Sequence, residues 1–243
     1  MESQDVEHTL RRHPQRLYAK AVWIAQYFEP QNSERMQEIL LVIRLNCENA
    51  QIDEIVLLNE KIYDTSVLRH PKIRQINIGR RLTYKTVFDF TKDHFGNDVL
   101  ILLSNLDITF DANDLDDVKH LDLRDTVLAL SRYDVTDIKT RSARFFRYFE
   151  DVSCSQDTWI YTSLRREFSD DFDIYLGIPG CDGRLSCLLS DMGISVINPS
   201  LTIRTYHYHL TDLRTYDRER LTYENLGVRY LEYGSLKYEK VND

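Results

Sequence analysis

Unbroken apolar runs alternate along this chain with stretches whose apolar positions recur every three or four residues. The clearest run is in residues 98–111, DVLILLSNLDITFD, where Val99, Leu100, Ile101, Leu102 and Leu103 follow one another. Such a run fits a strand buried on both faces, as inside a mostly parallel sheet. Residues 20–28 (KAVWIAQYF) predict an earlier strand, closed by Glu29-Pro30. Ser33 is then an N-cap for a helix over 34–47, whose stripe is Met36, Ile39, Leu40, Ile43 and Cys47. Residues 52–60 hold the next strand, ending at Asn59-Glu60, and 72–78 a short third one before Gly79. Tyr84, Val87, Phe88 and Phe95 share a helical face over 83–95, and Gly96-Asn97 stops that helix. The order β-α-β, a short β, then α-β predicts an α/β fold with a mixed, mostly parallel central sheet flanked by helices.

Beyond residue 111 the pattern is more broken. The acidic stretch 114–117 either opens a helical turn with carboxylates at its N-terminus or is a solvated acidic turn, 125–135 and 156–162 contain strands, and 136–156 has no clear assignment. Residues 171–193 (DFDIYLGIPGCDGRLSCLLSDMG) read as a short strand, a Gly-Ile-Pro-Gly turn and a helix stopped at Gly193. Two last strands fall in 194–199 and 201–206. The expected organisation is a loose surface segment at 1–18, one domain over 19–216, and a tail or helix over 217–243.

Composition narrows the function. The 243 residues are 42% hydrophobic and 29% charged, with 39 acidic residues against 31 basic ones and a net charge of -8. That balance argues against a nucleic-acid or anionic-membrane partner. No apolar run approaches a membrane span, and the charged start lacks the apolar core of a secretion signal. The four cysteines form no CxxC pair or zinc-like spacing, so thiols and a cytoplasmic setting are expected.

Polar clusters sit where the strands end, which is where ligands bind in open α/β sheets. In an extended segment Asn105 and Asp107 point to one side, making a hard-oxygen site for Mg²⁺ or Mn²⁺ carrying a diphosphate. His207 or His209, whichever lies nearer the cleft, can add an imidazole. Asp182, after Gly177 and Gly180, is either a helix cap or a general base. Its place at a helix start and a nearby cation predict a lowered pKa. Arg80, Arg81 and Arg132 are candidate diphosphate partners.

These residues carry a resemblance. NLDITFD at 105–111 is similar to the DxD metal motif of GT-A glycosyltransferases, and LALSRYDV (128–135), SQDTWIY (155–161), GIPGCDGRL (177–185) and NPSLTIRTYHYHLTDLRTY (198–216) follow in order. The order resembles the glycosyltransferase domains of large algal viruses and microbial surface-polysaccharide systems, over about residues 20 to 216. The resemblance implies a Rossmann-like GT-A sheet and transfer, by inversion, from a nucleoside-diphosphate sugar, a UDP-sugar foremost, to a glycan or other hydroxyl acceptor. It puts Asp107, with His207 or His209, at a Mn²⁺ or Mg²⁺ site, while Asn105 stands where the motif usually has its first aspartate. It puts Gln26, Glu29, Asn59, Arg81 and Tyr84 at the nucleotide, and Asp182, with Asp157 as its rival, at the base. A non-catalytic carbohydrate- or nucleotide-binding module of the same fold is the competing expectation. A nucleotidyltransferase would carry a Gly-rich basic loop where this chain reads YFEPQNSER.

Overall fold

The apolar runs become the middle of one sheet. The computed structural model describes residues 6–140, 142–145, 155–211, 227 and 231–241. In chain order the elements begin with β1 (Val6–Arg12), β2 (Lys20–Ala25), α1 (Ser33–Glu48), β3 (Glu54–Asn59), β4 (Ile73–Asn77), α2 (Tyr84–His94) and β5 (Val99–Ser104). They continue with β6 (Ile108–Phe110), α3 (Ala112–Val118), β7 (Thr126–Leu130), β8 (Tyr133–Asp137), β9 (Ser142–Phe145) and β10 (Thr158–Thr162). Last come α4 (Cys181–Asp191), β11 (Ser195–Ile197), β12 (Thr205–His207) and β13 (Gly234–Lys240).

The seven-stranded sheet has the order β11-β7-β10-β5-β2-β3-β4. Every pairing is parallel except those of β10, which runs against both β5 and β7. Alternate side chains explain the unbroken apolar runs. Trp23, Ile55, Leu57, Leu100 and Leu102 pack with α1 and α3 on one face. Val22, Ile24, Val56, Ile101 and Leu103 pack with α2 and α4 on the other. Both faces are covered, so apolar side chains fill both alternate positions through the middle of these strands, and the buried polar ones, Asn59 and Ser104, stand at strand ends.

Several local expectations change. Asn32, not Ser33, caps α1, accepting from the Arg35 amide at 2.8 Å. Thr83, read as part of the helix over 83–95, is the N-cap of α2. The acidic turn at 114–117 belongs to α3, whose cap is Asp111. Its Asp114 is buried, with Arg204 bonded to both carboxylate oxygens at 2.9 and 3.0 Å, instead of facing solvent. The strand expected near residue 173 is a 3₁₀ turn, Asp170–Phe172, and Tyr175 makes only an isolated bridge to Thr83. Residues 6–12, expected to lie loose, pair in parallel with β13, and 234–240 is strand instead of tail or helix. The link between distant termini leaves no local periodicity to read. Part of the expected tail, and Cys154, lie outside the described residues.

A second sheet has four strands in the order β6-β12-β8-β9. Its strands β6 and β8 follow β5 and β7 after turns of a few residues, so they inherit the position of those strands' carboxyl ends. Register does the rest. His207 on β12 pairs with Ile108 on one side and Asp134 on the other. No helix among the described residues is long and apolar enough to cross a membrane.

Candidate functional site

Because β10 is antiparallel, its start lies at the same end as the finishes of β5 and β7. Thr158 pairs with Ser104 and with Leu130, which sets Asp157 between Asn105 and Ser131. The turn at 177–180 approaches the same place. Gly177 (φ +72°) lies so close that a Cβ there would meet the Asn105 Oδ1 at 3.2 Å, and Gly180 (φ +85°) starts α4 from the left-handed region.

Asn105 and Asp107 do not project together. Residues 106–107 form a turn between β5 and β6, which removes the extended geometry that the period-two expectation required. Asn105 instead donates from Nδ2 to Asp157 Oδ1 at 2.8 Å, while Asp107 turns toward β12 and α1.

Asp107 is buried, 8% exposed as a residue. Its Oδ2 accepts from the Arg35 guanidinium and lies 3.2 Å from His207 Nε2. Its Oδ1 is buried and has no hydrogen-bond partner. One ligand atom from each of Asp107, His207 and His209 lies within 4.8 Å of the others, close enough for one ion to be shared by all three. The His207 Nδ1 faces Asp134 Oδ1 at 2.8 Å. Burial works against charge on His207, but the carboxylates of Asp107 and Asp134 prevail and hold it at about 9. Burial likewise opposes charge on Asp107, and His207 with Arg35 overcomes it, holding the carboxyl well below the usual range. A carboxylate and two imidazoles are a donor set that Mn²⁺ accepts, and an unpartnered buried oxygen is what an ion would satisfy.

Arg132 joins this centre to the next. Its Nε donates to Asp134 Oδ1 at 2.9 Å, and its Nη1 to Ser155 Oγ at 3.0 Å and to Asp157 Oδ2. Arg132 is therefore a tie between carboxylates. Asp182 lies beside Asp157, accepting from the Gln156 amide at 3.3 Å and from the Cys181 thiol at 3.0 Å. Burial first, and the Asp157 charge second, push its carboxyl up to about 7. The lowered value expected from the helix start is thus overturned: neither of its donors is a cation, and loss of water outweighs the helix dipole.

The residues expected at the nucleotide are placed differently from one another. Asn59 is fully buried, accepting from the Tyr27 amide at 2.8 Å and donating to Gln75 at 3.0 Å, so it knots β2, β3 and β4 together. Gln26 donates to the carbonyls of Leu58 and Arg80, each at 3.1 Å, and accepts from the Leu82 amide. Tyr84 is inside the core, its hydroxyl 3.4 Å from Cys181 Sγ and its ring edge-on to Trp159. Glu29 and Arg81 are on the surface, Arg81 over the Tyr175 ring and bonded to the Leu176 carbonyl. Arg80 is paired with Asp173.

Sequence reasoning missed Arg35, Glu38 and Asp134. A signal for the first two existed: the buried face of α1 runs through Arg35, Glu38, Ile39, Val42, Ile43, Asn46 and Cys47, a rotation from the expected stripe. Charged residues three apart on a core-facing stripe imply a buried pair.

No family model matches the chain, and no curated protein matches its sequence. Among solved structures, the glycosyltransferase GlyE of Streptococcus pneumoniae TIGR4 is similar at 15% identity and a TM-score of 0.33, over 60% of this chain and 34% of that one. Its apo form aligns at 14% identity and 0.41, over 83% of this chain and 58% of that one. The 4-diphosphocytidyl-2C-methyl-D-erythritol synthase of Anaerococcus prevotii DSM 20548 aligns at 11% identity and 0.42, over 75% and 89%. This chain thus spans about a third of the length of the first of these, by the 34% covered. Likenesses this low assign no activity, which has to be read from the site itself.

Proposed function

We propose that this chain is a GT-A-type glycosyltransferase that moves a sugar, with inversion, from a nucleoside-diphosphate donor to a hydroxyl acceptor. The observation that carries the reading is the continuous set of contacts from Asp107 through His207, Asp134 and Arg132 to Asp157, with Asp182 alongside. A cation-holding group and a candidate base therefore share one end of the sheet, where ligands of this architecture bind.

Asp107, His207 and His209 would hold Mn²⁺ or Mg²⁺. A divalent ion there would offset the charge of the departing diphosphate. Asp182 is the base that takes the acceptor's proton. It has no cation bonded to it, and a value of about 7 leaves it half ionised and basic near neutrality. Asp157 is less suited, because Arg132 and Asn105 already occupy its oxygens. Asn105 positions Asp157 and is not a metal ligand in this reading. Gln26 and Asn59 shape the nucleotide crevice by fixing strand ends, and Arg81 is exposed at its edge. The UDP-sugar preference stays with this reading as its first donor to try.

A second reading, a non-catalytic binding module of the same fold, draws on the Arg35 guanidinium already seated on Asp107. Screening nucleotide sugars for slow hydrolysis with Mn²⁺ and with EDTA separates the two. Turnover that vanishes in EDTA supports the transferase; donor binding without turnover in any acceptor mixture supports the module.

A further inference from the structure

Arg35 is in the first turn of α1 and is 7% exposed. Its guanidinium has three acceptors: Asp107 Oδ2, Glu38 Oε2 at 2.9 Å and the Tyr208 carbonyl at 2.7 Å. We propose that Arg35 is a tethered cation that stands in for the divalent ion at Asp107 and has to be displaced from Oδ2 when an ion binds. This rests on the metal reading of the site.

The partners of the guanidinium make the exchange feasible. A buried arginine that lost its only carboxylate would be left uncompensated. Arg35 would keep Glu38 and the Tyr208 carbonyl. Glu38 is itself fixed, accepting from the Leu210 amide at 2.9 Å, the Thr211 amide at 3.1 Å and the Thr211 hydroxyl at 3.2 Å. Arg35 and Glu38 together are neutral, so a guanidinium withdrawn onto Glu38 leaves little field behind. Seated on Asp107, it is a positive charge one carboxylate away from the unpartnered Oδ1. Like charges that close, inside protein, repel strongly. The arrangement also keeps the buried carboxylate neutralised in ion-free protein.

A purely structural role is the rival. Arg35 and Glu38 brace residues 208–211, which include His209. If bracing were all, losing either residue would loosen His209 and weaken ion binding. Displacement predicts opposite signs. Removing Arg35 tightens the ion's hold, whereas removing the Glu38 charge drives Arg35 harder onto Asp107.

The test titrates the full chain with Mn²⁺ alone and reads free Mn²⁺ by electron paramagnetic resonance. Compared with wild type, Arg35→Met is expected to bind at least about tenfold tighter and Glu38→Gln several-fold weaker. Arg35→Gln, which keeps a donor for the Tyr208 carbonyl, carries the same expectation if Arg35→Met does not fold. Equal or weaker binding by the folded Arg35 variant overturns the proposal and leaves the metal site standing. Absence of Mn²⁺ binding in wild type and variants alike removes the metal reading and the proposal together.

Discussion

Replacing Asp182 with asparagine removes a charge and keeps the shape, and its effect on stability follows from where the carboxyl sits. In the folded chain burial and the Asp157 charge hold its pKa at about 7, against 3.8 for a free aspartate. Between those two values the folded protein keeps a proton that the unfolded chain has lost. Stability is therefore fully present below pH 3.8 and lost as pH rises through 7. A shift of this size is worth at most about 4 kcal/mol, at about 1.4 kcal/mol per unit. Only about two of those units lie above pH 5, which leaves about 3 kcal/mol, and because the side chain is only partly buried by area, solvent trims the swing between pH 5 and pH 8 to about 2 kcal/mol. Asp182→Asn has no such group to titrate. Urea denaturation of both proteins at pH 5 and pH 8 reads the difference, with other titrating groups cancelling. Asp182→Asn is expected to gain about 2 kcal/mol over wild type on going from pH 5 to pH 8, while transfer falls by at least about a hundredfold. A difference that stays constant across that range would refute the burial argument, and retained transfer would move the base to Asp157 or elsewhere.

Other residues give equally concrete expectations. Arg132→Met leaves Asp134 and Asp157 without their shared cation and should cost about 3–5 kcal/mol in denaturant melts. Adding Asp157→Asn should restore part of that; purely additive losses would show that the tie is not energetic. Gly234→Ala puts a Cβ 1.9 Å from the Val6 carbonyl oxygen, so β1 and β13 should separate. Hydrogen exchange should then rise at residues 6–12 and 234–240 while β5 stays protected; unchanged protection would contradict the pairing.

How much of this was legible in the chain depends on the kind of pattern each element has. The run Val99–Leu103 and the stripe Tyr84, Val87 and Phe88 sit in elements whose two faces or one face are dry, and periodicity shows them directly. The pairing of β1 with β13 joins ends of the chain, and nothing local encodes it. Site residues divide similarly. Asp107, His207 and Asp182 stand at the strand ends and turn where polar residues interrupt apolar runs. Arg35 and Glu38 were hidden because the stripe on α1 was phased on Met36 and Leu40, which are only partly buried. Asn105 misled because period two holds only in extended backbone, and the chain turns at 106–107. The pKa of Asp182 depends on burial, which a helix-start argument does not contain.

In the proposed function Asp107 grips a divalent ion carrying a diphosphate. Thermal melts of wild type and Asp107→Ala with UDP, each in Mn²⁺ and in EDTA, test it most directly. Saturating UDP should raise the wild-type melting temperature by about 5–10 °C in Mn²⁺, as about 2.7 kcal/mol of binding implies at a hundredfold excess over Kd. The rise should disappear in EDTA and in folded Asp107→Ala; the same rise in all four conditions would contradict a metal-held diphosphate at Asp107.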